Sequence, residues 1–282
     1  MANARGKKID KTFLSVDNAT ERGFLHRDYI AHCLRWTHVV KWLMQGHNYK
    51  TAKVLDVGCG KEMPLAKMLH SSRMGTAAYV GADISKLEMP KQFANSTWKP
   101  TKVLGEVDAA ELTVKEIGFK PTNIVCFEVL EHIEPEHARR MLLNFAKIID
   151  QAGTVFLSTP CYDEHTGAAA NHVNEMTYQA FGKLIEDTGW FIEGHWGTFA
   201  SIKDYKDGFD TKQLAVFKTL REYYDSNYLA TVFAPMFPQF SRNCLWQLAK
   251  RAPSSKTTFP DWKDIPTPWS SSEEWKQLDG SK

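Results

Sequence analysis

The stretch Lys53-Val54-Leu55-Asp56-Val57-Gly58-Cys59-Gly60 decides the fold of this 282-residue chain. Its apolar, β-branched residues predict a buried strand, and the Asp-x-Gly-x-Gly ending predicts a tight turn into a helix. A Cβ at Gly58 or Gly60 would block that turn and hold a ligand away from the backbone. Glu62 follows in the sequence, and its charge would repel a diphosphate at the helix N-terminus. The motif therefore predicts a pocket for a nucleoside ligand that carries a positive charge.

The order of the following segments predicts one α/β sheet. Four more apolar runs of the buried-strand type lie at 78–83, 102–108, 123–128 and 153–159. Three segments have apolar residues at helical spacings of three and four, and these lie at 65–69, 135–149 and 178–188. The alternation predicts a doubly wound, mostly parallel sheet with an N-terminal helix and an insertion before the last strand. In such sheets ligands bind at the carboxyl ends of the strands.

Acidic residues end three of these predicted strands in register. Asp83 ends the second run, where doubly wound sheets place a ribose-binding carboxylate. Asp108 ends the third run and Glu128 ends the fourth. These acids would share one edge of the sheet with Asp56, which favours a ligand site there over an ordinary turn.

These motifs resemble the class I S-adenosylmethionine-dependent methyltransferases, which are Rossmann-like, over residues 50–250. The resemblance implies S-adenosylmethionine as cofactor, and it implies seven cofactor-binding residues from the methionine end to the adenine and acceptor ends: Asp56, Gly58, Gly60, Asp83, Asp108, Ala109 and Phe127. It also implies a closing antiparallel hairpin, with candidate strands at 190–199 and 242–248. The chain departs from the family at Glu62, where another glycine is usual.

A second constellation is the run Glu128-Val129-Leu130-Glu131-His132, joined by the later His172. Spacings of three and four predict that Glu128, Glu131 and His132 share one side of a helical turn after the fourth strand. His172 follows the neighbouring fifth strand, so all four side chains are expected to converge. Mixed oxygen and nitrogen ligands suit Mg²⁺ or Mn²⁺ when waters or substrate oxygens complete the sphere, with Zn²⁺ and Fe²⁺ as competitors.

The same run resembles the small-RNA 3′-terminal 2′-O-methyltransferases and, more loosely, the ubiquinone-pathway O-methyltransferases. That resemblance implies Glu128, Glu131, His132 and His172 as metal ligands. An alternative stays open, because a Leu-Glu-His element without metal is common in this class, with the acid and the histidine in structural roles. Similarly, Asn174 is a candidate cap for a helix that begins in the segment 175–177.

These residues predict O-methylation of a hydroxyl on a nucleotide, a nucleic acid terminus or a small metabolite. A hydroxyl is a poor nucleophile near neutral pH, and a bound divalent ion lowers its pKa. The candidate catalytic residues are Glu128, His132 and His172, with a histidine as general base if it does not bind metal. Two other hypotheses are a metal-independent N- or C-methyltransferase and a non-catalytic module that binds S-adenosylmethionine.

Composition predicts a soluble cytoplasmic protein without membrane partners. The formal net charge is only +2, so the composition does not indicate a strongly basic protein that binds nucleic acid. Hydrophobic residues make up 43% of the chain, which is enough for one substantial core. No segment has the ~20 apolar residues of a membrane span. Five scattered cysteines predict reduced thiols. Residues 49–251 form the predicted methyltransferase domain.

Three further regions are predicted to surround that domain. Residues 1–48 form a predicted helical lid, in which Tyr29, His32 and Arg35 share a polar face, against the alternative of a solvated packing helix. Residues 200–241 mix basic and aromatic side chains, which favours either base stacking or a plain helical lid. The segment 252–282 has few aliphatic residues and is predicted to be disordered or loosely docked, although it contains tryptophans.

Overall fold

A computed structural model describes residues 27–45, 49–162, 167–200, 209–224, 226–238, 241–252 and 262–264. The predicted N-terminal segment before residue 27, most of the C-terminal tail and residues 201–208 of the insertion therefore lie outside the described residues. So does the side chain of Tyr29.

Seven strands form one sheet in the order β3-β2-β1-β4-β5-β7-β6. The strand β7 runs antiparallel to both of its neighbours, β5 and β6. The strands are β1 (Lys53–Val57), β2 (Ala78–Ala82), β3 (Lys102–Leu104), β4 (Asn123–Phe127), β5 (Thr154–Pro160), β6 (Phe191–Ala200) and β7 (Ser241–Ala249). The predicted doubly wound, mostly parallel sheet is confirmed, and so is the closing hairpin of β6 and β7. The sheet reverses strand order between β1 and β4, which is where such folds bind ligands.

Seven α-helices connect or precede the strands in the described part of the chain. They are α1 (Arg27–Met44), α2 (Pro64–Ser71), α3 (Val114–Ile117), α4 (Pro135–Ile148), α5 (Tyr178–Asp187), α6 (Thr211–Leu220) and α7 (Ser226–Phe233). Pro135 occupies the first turn of α4 as its sequence position predicts. None of the described helices is both long and apolar enough to cross a membrane.

The sheet is buried on both faces, which explains the continuous apolar runs in its strands. Consecutive residues point to opposite faces, so Leu55 packs with α4 and α5 while Val54 packs with α1 and α2. Ile124 and Val125 on β4 divide between the two layers in the same way.

The insertion between β6 and β7 contains α6, α7 and a short 3₁₀ turn, Ala234–Met236. It has a small apolar cluster of its own, made of Phe217, Leu229, Phe233, Ala234 and Phe237. The helix α7 packs against α1 and β6, so the insertion and the N-terminal helix lie together over one end of the sheet.

One part of the predicted tail is attached to the core. Trp262 is buried and lies over Gly182 of α5, where an added Cβ would come within 2.4 Å of the indole. Lys263 forms an ion pair with Glu186 at 2.8 Å. A glycine at position 182 thus makes room for a tryptophan more than seventy residues later in the chain.

Two local predictions differ from the structure. The helix after His172 begins at Tyr178, and its cap is Thr177, whose hydroxyl accepts from the Ala180 N–H. Asn174 is not the cap, because its side-chain amide donates to the carbonyl of Leu130 instead. Arg35 does not lie on a solvated polar face of α1, because it is only 2% exposed and binds residues of the sheet.

Candidate active site

The turn after β1 bends through three residues in the left-handed region. Gly58, Gly60 and Met63 have φ angles of 68°, 63° and 45°. Met63 is fully buried and immediately precedes Pro64, which starts α2. Glu62, which replaces the family's usual glycine, points outward to Lys67. The turn therefore keeps its shape without a third glycine, because Met63 takes a left-handed conformation one residue later.

Two adjoining cavities open at the carboxyl ends of the strands. The first has a volume of about 330 Å³ and is lined by the β1 turn, Asp56, Phe127 and, from α1, His32 and Trp36. The second has a volume of about 850 Å³. They share four lining residues: Gly58, Asp83, Glu128 and His132.

The residues predicted to bind the cofactor all lie at these cavities. Asp56, Gly58, Gly60, Asp83 and Phe127 line the smaller one. Asp108 and Ala109 line the larger one, which extends between β3 and the first two turns of α4. Sequence reasoning thus brought together the correct strand ends, since parallel strands deliver their carboxyl ends to the same edge.

Asp83 ties the β1 turn to the end of β2. Its Oδ2 accepts from the Gly60 N–H at 3.0 Å, and its Oδ1 accepts from the Ser85 N–H at 2.8 Å. These bonds hold the carboxylate at the boundary between the two cavities.

Asp56 is a buried carboxyl group beneath the smaller cavity. Burial raises its pKa to about 7, the Tyr79 hydroxyl opposes that rise by donating to the carboxylate, and the nearby Asp83 charge adds to it. A cation bound in this cavity would favour the ionised form of Asp56.

The stability of the ligand-free protein should fall as pH rises from 4 to 7 because of Asp56. An unfolded aspartic acid has a pKa of about 3.9, so over this range the native state keeps a proton that the unfolded state has lost. The contribution is at most roughly 4 kcal/mol, the energy equivalent of about three pKa units. Urea unfolding from pH 4 to pH 8 should show this loss in the wild type and a much flatter dependence in Asp56→Asn. Parallel curves for the two proteins would contradict the assignment.

Glu128 does not lie on the helical turn where its spacing placed it. It has a φ of 57°, in the left-handed region, and the 3₁₀ turn begins two residues later at Leu130–His132. Its Oε1 accepts from Ser158 Oγ at 2.8 Å, and Oε1 and Oε2 both accept from Asn243 Nδ2, at 3.1 and 2.9 Å. The backbone reversal at Glu128 separates it from Glu131 and His132, which a continuous helix would have kept on one side.

Arg35 and Asn243 both contact Glu128, although sequence reasoning placed Arg35 only on a polar face of the predicted lid and did not single out Asn243. Arg35 Nη1 donates to Asn243 Oδ1 at 2.9 Å and lies 3.6 Å from the Glu128 carboxylate. Its Nη2 also contacts His32 Nδ1. The helix α1 is thereby bound to Glu128 through a buried cation. Nothing in the sequence marks Asn243, because its partners are 115 and 208 residues away.

Glu131, His132 and His172 do converge. One possible ligand atom from each of the three lies within 4.8 Å of the other two. The two imidazole rings lie 4.7 Å apart between centroids, and His132 Nε2 lies 3.8 Å from Glu131 Oε1. Ligand atoms about 2.0–2.2 Å from one ion are separated by roughly 3–4 Å, so a small closure of these side chains would fit a divalent cation.

Backbone contacts bring the two histidines together. The N–H groups of Val173 and Asn174 both donate to the carbonyl of Glu131, at 2.9 and 3.1 Å. The side chain of Asn174 donates to the Leu130 carbonyl at 3.0 Å. The segment after β5 is therefore fixed on the 3₁₀ turn after β4, with His172 beside His132.

Both histidines use Nδ1 to donate, which leaves Nε2 as the atom with a lone pair. His172 Nδ1 donates to the Glu175 carboxylate, and His132 Nδ1 donates to the Asn171 carbonyl at 3.3 Å. A carboxylate or carbonyl behind a metal-binding histidine fixes its tautomer and orientation in this way. Glu175 is itself held by the Ala169 N–H at 3.0 Å.

Glu131 is a fully buried acid, 1% exposed. Burial raises its pKa well above the usual value, and the nearby Glu128 charge raises it further. Its Oε2 lies 3.4 Å from the Thr159 hydroxyl. A buried carboxyl group beside two imidazoles has the donor chemistry of a site for Mg²⁺, Mn²⁺ or Zn²⁺.

The chain matches one protein family along most of its length. The methyltransferase domain family matches residues 28–219. No curated protein matches the chain significantly.

Solved structures of methyltransferases are similar to this fold. Magnesium protoporphyrin IX methyltransferase (ChlM) from Synechocystis PCC 6803 with bound SAM is 17% identical, with 89% of this chain and 93% of that chain covered and a TM-score of 0.51. The same enzyme with bound SAH is 16% identical, covers 88% and 94%, and has a TM-score of 0.50. The methyltransferase domain of bacterial CtHen1 is 15% identical, covers 78% and 99%, and has a TM-score of 0.48.

The sheet order and the glycine turn define a class I methyltransferase fold. The chain belongs to the methyltransferase domain family, and it is an S-adenosylmethionine-dependent methyltransferase. The sequence-based predictions of the class, the enzyme and this cofactor are thereby confirmed.

Proposed function

We propose that this enzyme transfers the methyl group of S-adenosylmethionine to a hydroxyl oxygen, with a divalent cation bound by Glu131, His132 and His172. The acceptor is a nucleotide, a nucleic acid terminus or a small metabolite. The single observation that carries the proposal is the convergence of these three side chains at the rim of the cofactor cavities, where His132 lines both.

The cofactor is proposed to lie across the two cavities. Its methionine part occupies the smaller one, beside Asp56 and the glycine turn, and its adenine occupies the larger one, beside Asp108 and Ala109. Asp83, at their boundary, is placed to accept from the ribose hydroxyls. Phe127 and Glu128 then face the methyl group and the acceptor. The residues 27–44 that form α1 act as a lid, because His32 and Trp36 wall the methionine cavity.

The reaction makes few covalent demands on the protein. A lone pair of the acceptor oxygen attacks the methyl carbon, the carbon–sulfur bond breaks, and its electron pair stays on sulfur to give S-adenosylhomocysteine. The protein must hold the oxygen in line and remove its proton. A bound Mg²⁺ or Mn²⁺ would supply a lowered hydroxyl pKa and a fixed oxygen position. The imidazoles of His132 and His172 and the buried Glu131 carboxylate would hold that ion at the rim of the cavities.

An acceptor panel tests the proposed reaction. Nucleosides, single-stranded RNA and DNA, and catechols should be incubated with cofactor labelled in the methyl group, with Mn²⁺ or with excess chelator. We expect transfer to hydroxyl acceptors that depends on the added ion. Transfer to an amine or a carbon acceptor in excess chelator would contradict the proposal.

A second candidate function is metal-independent transfer, and the His172–Glu175 contact favours it. A histidine whose Nδ1–H donates to a carboxylate has a more basic Nε2, as in general-base dyads. Glu128, whose carboxylate accepts hydrogen bonds from Asn243 and Ser158, would then also bind a polar group of the acceptor. The chelator arm of the same panel separates this function from the first.

Replacing Asp83 with alanine should weaken S-adenosylmethionine binding by roughly 1–3 kcal/mol, the range for unmade hydrogen bonds to a charged group. The ribose hydroxyls would lose their acceptor, and the Gly60 N–H would lose its partner. Titration calorimetry measures the affinity, and circular dichroism checks the fold. Unchanged affinity in a folded variant would remove Asp83 from the ribose.

A further inference from the structure

The adenine side of the larger cavity contains a chain of polar contacts in which Asp108 is joined by residues that the predicted site does not include. Its members are Asp108 after β3, His137 in the first turn of α4, Arg140 one turn later and Glu111. Three of them, Asp108, His137 and Arg140, line the cavity itself.

The two oxygens of Asp108 are not equivalent. Oδ1 accepts from the Ala110 N–H at 2.8 Å and from His137 Nε2 at 2.8 Å. No hydrogen bond of Oδ2 is found within the described ranges, so this oxygen is the one left for a ligand. Burial on its own would raise the pKa of Asp108, but the bonds from Ala110 and His137, with the positive charge of Arg140, outweigh burial and lower the pKa. The carboxylate therefore stays ionised and acts only as an acceptor.

Arg140 fixes which nitrogen of His137 donates. A guanidinium has only donors, so the 2.9 Å contact between Arg140 Nη2 and His137 Nδ1 requires that Nδ1 accepts. Nε2 is then the ring nitrogen that donates to Asp108. Arg140 Nη1 in turn lies 3.6 Å from Glu111 Oε1.

The helix α4 holds the turn after β3 at a second point. Asn144 Nδ2 donates to the carbonyls of Ala109 and Leu112, at 3.0 and 2.9 Å. Asn144 thus fixes the backbone of the turn, whereas His137 fixes the direction of the Asp108 carboxylate. The two residues lie two turns apart on the same helix, so their roles are separable by mutation.

We propose that His137 is a positioning residue that aims Asp108 Oδ2 at the exocyclic amine of the cofactor's adenine, with Arg140 fixing the tautomer of the imidazole. An amine donates to this oxygen, whereas a carbonyl in its place would meet a carboxylate as a second acceptor. The pair therefore selects an adenine ligand over its 6-oxo counterpart. This inference rests on the proposed placement of the cofactor across the two cavities.

The test compares two ligands by titration calorimetry: S-adenosylhomocysteine and S-inosylhomocysteine, in which a carbonyl oxygen replaces the adenine amine. The wild type should prefer the adenine ligand by about tenfold or more, because the 6-oxo ligand loses the hydrogen bond from the amine and places a carbonyl oxygen against the Asp108 carboxylate. His137→Ala should reduce that preference to about threefold or less, because Asp108 loses one of its two fixed contacts. His137→Gln keeps an N–H donor and should restore most of the preference.

Two more variants complete the design. Asn144→Ala should lower the melting temperature but leave the ligand preference at the wild-type value. Arg140→Met alters a side chain that is 51% exposed, so it should fold normally, and its preference should fall about twofold to threefold.

The outcomes separate the two proposals. A wild type that binds both ligands equally would overturn the placement of adenine beside Asp108. A wild type that discriminates, with His137→Ala and Arg140→Met at the same preference, would leave the proposed function intact and overturn the role of His137. If His137→Ala does not fold, an unchanged preference in Arg140→Met overturns the role by itself.

Discussion

Replacing His132 or His172 with alanine should lower methyl transfer by about a hundredfold or more, while cofactor affinity stays within about threefold of the wild type. The reason is spatial: the two imidazoles meet Glu131 at the rim of the cavities, whereas the residues proposed to contact the cofactor lie at the carboxyl ends of β1 to β4. Initial rates at saturating cofactor measure the first quantity, and calorimetry with S-adenosylhomocysteine measures the second.

Chelation should reproduce these variants in the wild type, and added Mn²⁺ should restore it. The same ion should rescue His172→Ala only in part, because a lost ligand weakens metal affinity without abolishing it. His70→Ala is the matched control, since His70 lies on α2, packs against Phe93 and is outside both cavities. Full activity of the wild type on its acceptor in excess chelator would show that the three side chains have a structural role and bind no catalytic metal. A single histidine would then be the general base that removes the acceptor proton.

The two glutamates of the run should behave differently in the same assay. Glu131→Gln should lose metal affinity, because Glu131 is the acid that joins the two histidines. Glu128→Gln should keep it, because that carboxylate is bound by Asn243 and Ser158 and lies 3.6 Å from the Arg35 guanidinium. Equal loss of Mn²⁺ binding in both variants would show that Glu128 is also a metal ligand.

The second large effect is expected at Gly58. A Cβ there would lie 2.2 Å from Val129 Cγ2, and the φ of 68° is a conformation that alanine adopts at a cost. Crowding and backbone strain together predict that Gly58→Ala loses about 3–5 kcal/mol of stability, with cofactor binding lost or strongly weakened. Chemical denaturation and calorimetry measure the two effects.

Gly60 provides the matched control. Its φ is 63°, almost the same as that of Gly58, but an added Cβ meets nothing within 4 Å. Gly60→Ala should therefore lose only about 1–2 kcal/mol of stability, the cost of the left-handed conformation. The double variant Gly58→Ala with Val129→Ala should recover part of the loss. Similar stability losses in the two single variants would show that backbone strain decides and the Val129 contact does not.

The sequence predicted the fold well because the signals are local. A run such as Ile124 to Phe127 is apolar at every position, and only a strand buried on both faces needs that pattern. Asp56 lies inside the first predicted strand, and Asp83 and Asp108 end the next two predicted strands, so their meeting at one edge was determined once the sheet was parallel. The helix start at Pro135 was also legible, because proline suits the first turn.

The tertiary structure decided which members of the Glu-x-x-Glu-His run act together. Spacing predicted one helical face, but Glu128 adopts a left-handed conformation before the turn begins, and its carboxylate bonds to Ser158 on β5 and Asn243 on β7. The sequence predicted Asn174 as the cap of α5, but the cap is Thr177. The reason is again a distant contact, since Asn174 binds the carbonyl of Leu130, 44 residues earlier.

By itself, then, the sequence determined the doubly wound sheet, the glycine turn and the class of cofactor, since these depend on patterns within a few residues. Only the tertiary structure decided that Arg35 is buried against Glu128, that Gly58 is crowded where Gly60 is open, and that His137 orients Asp108. Each of these is a contact between segments distant in the chain, made by side chains whose direction the packed helices and strands fix. Hydrogen-bond direction and free space are properties of that packing, and no spacing in the sequence contains them.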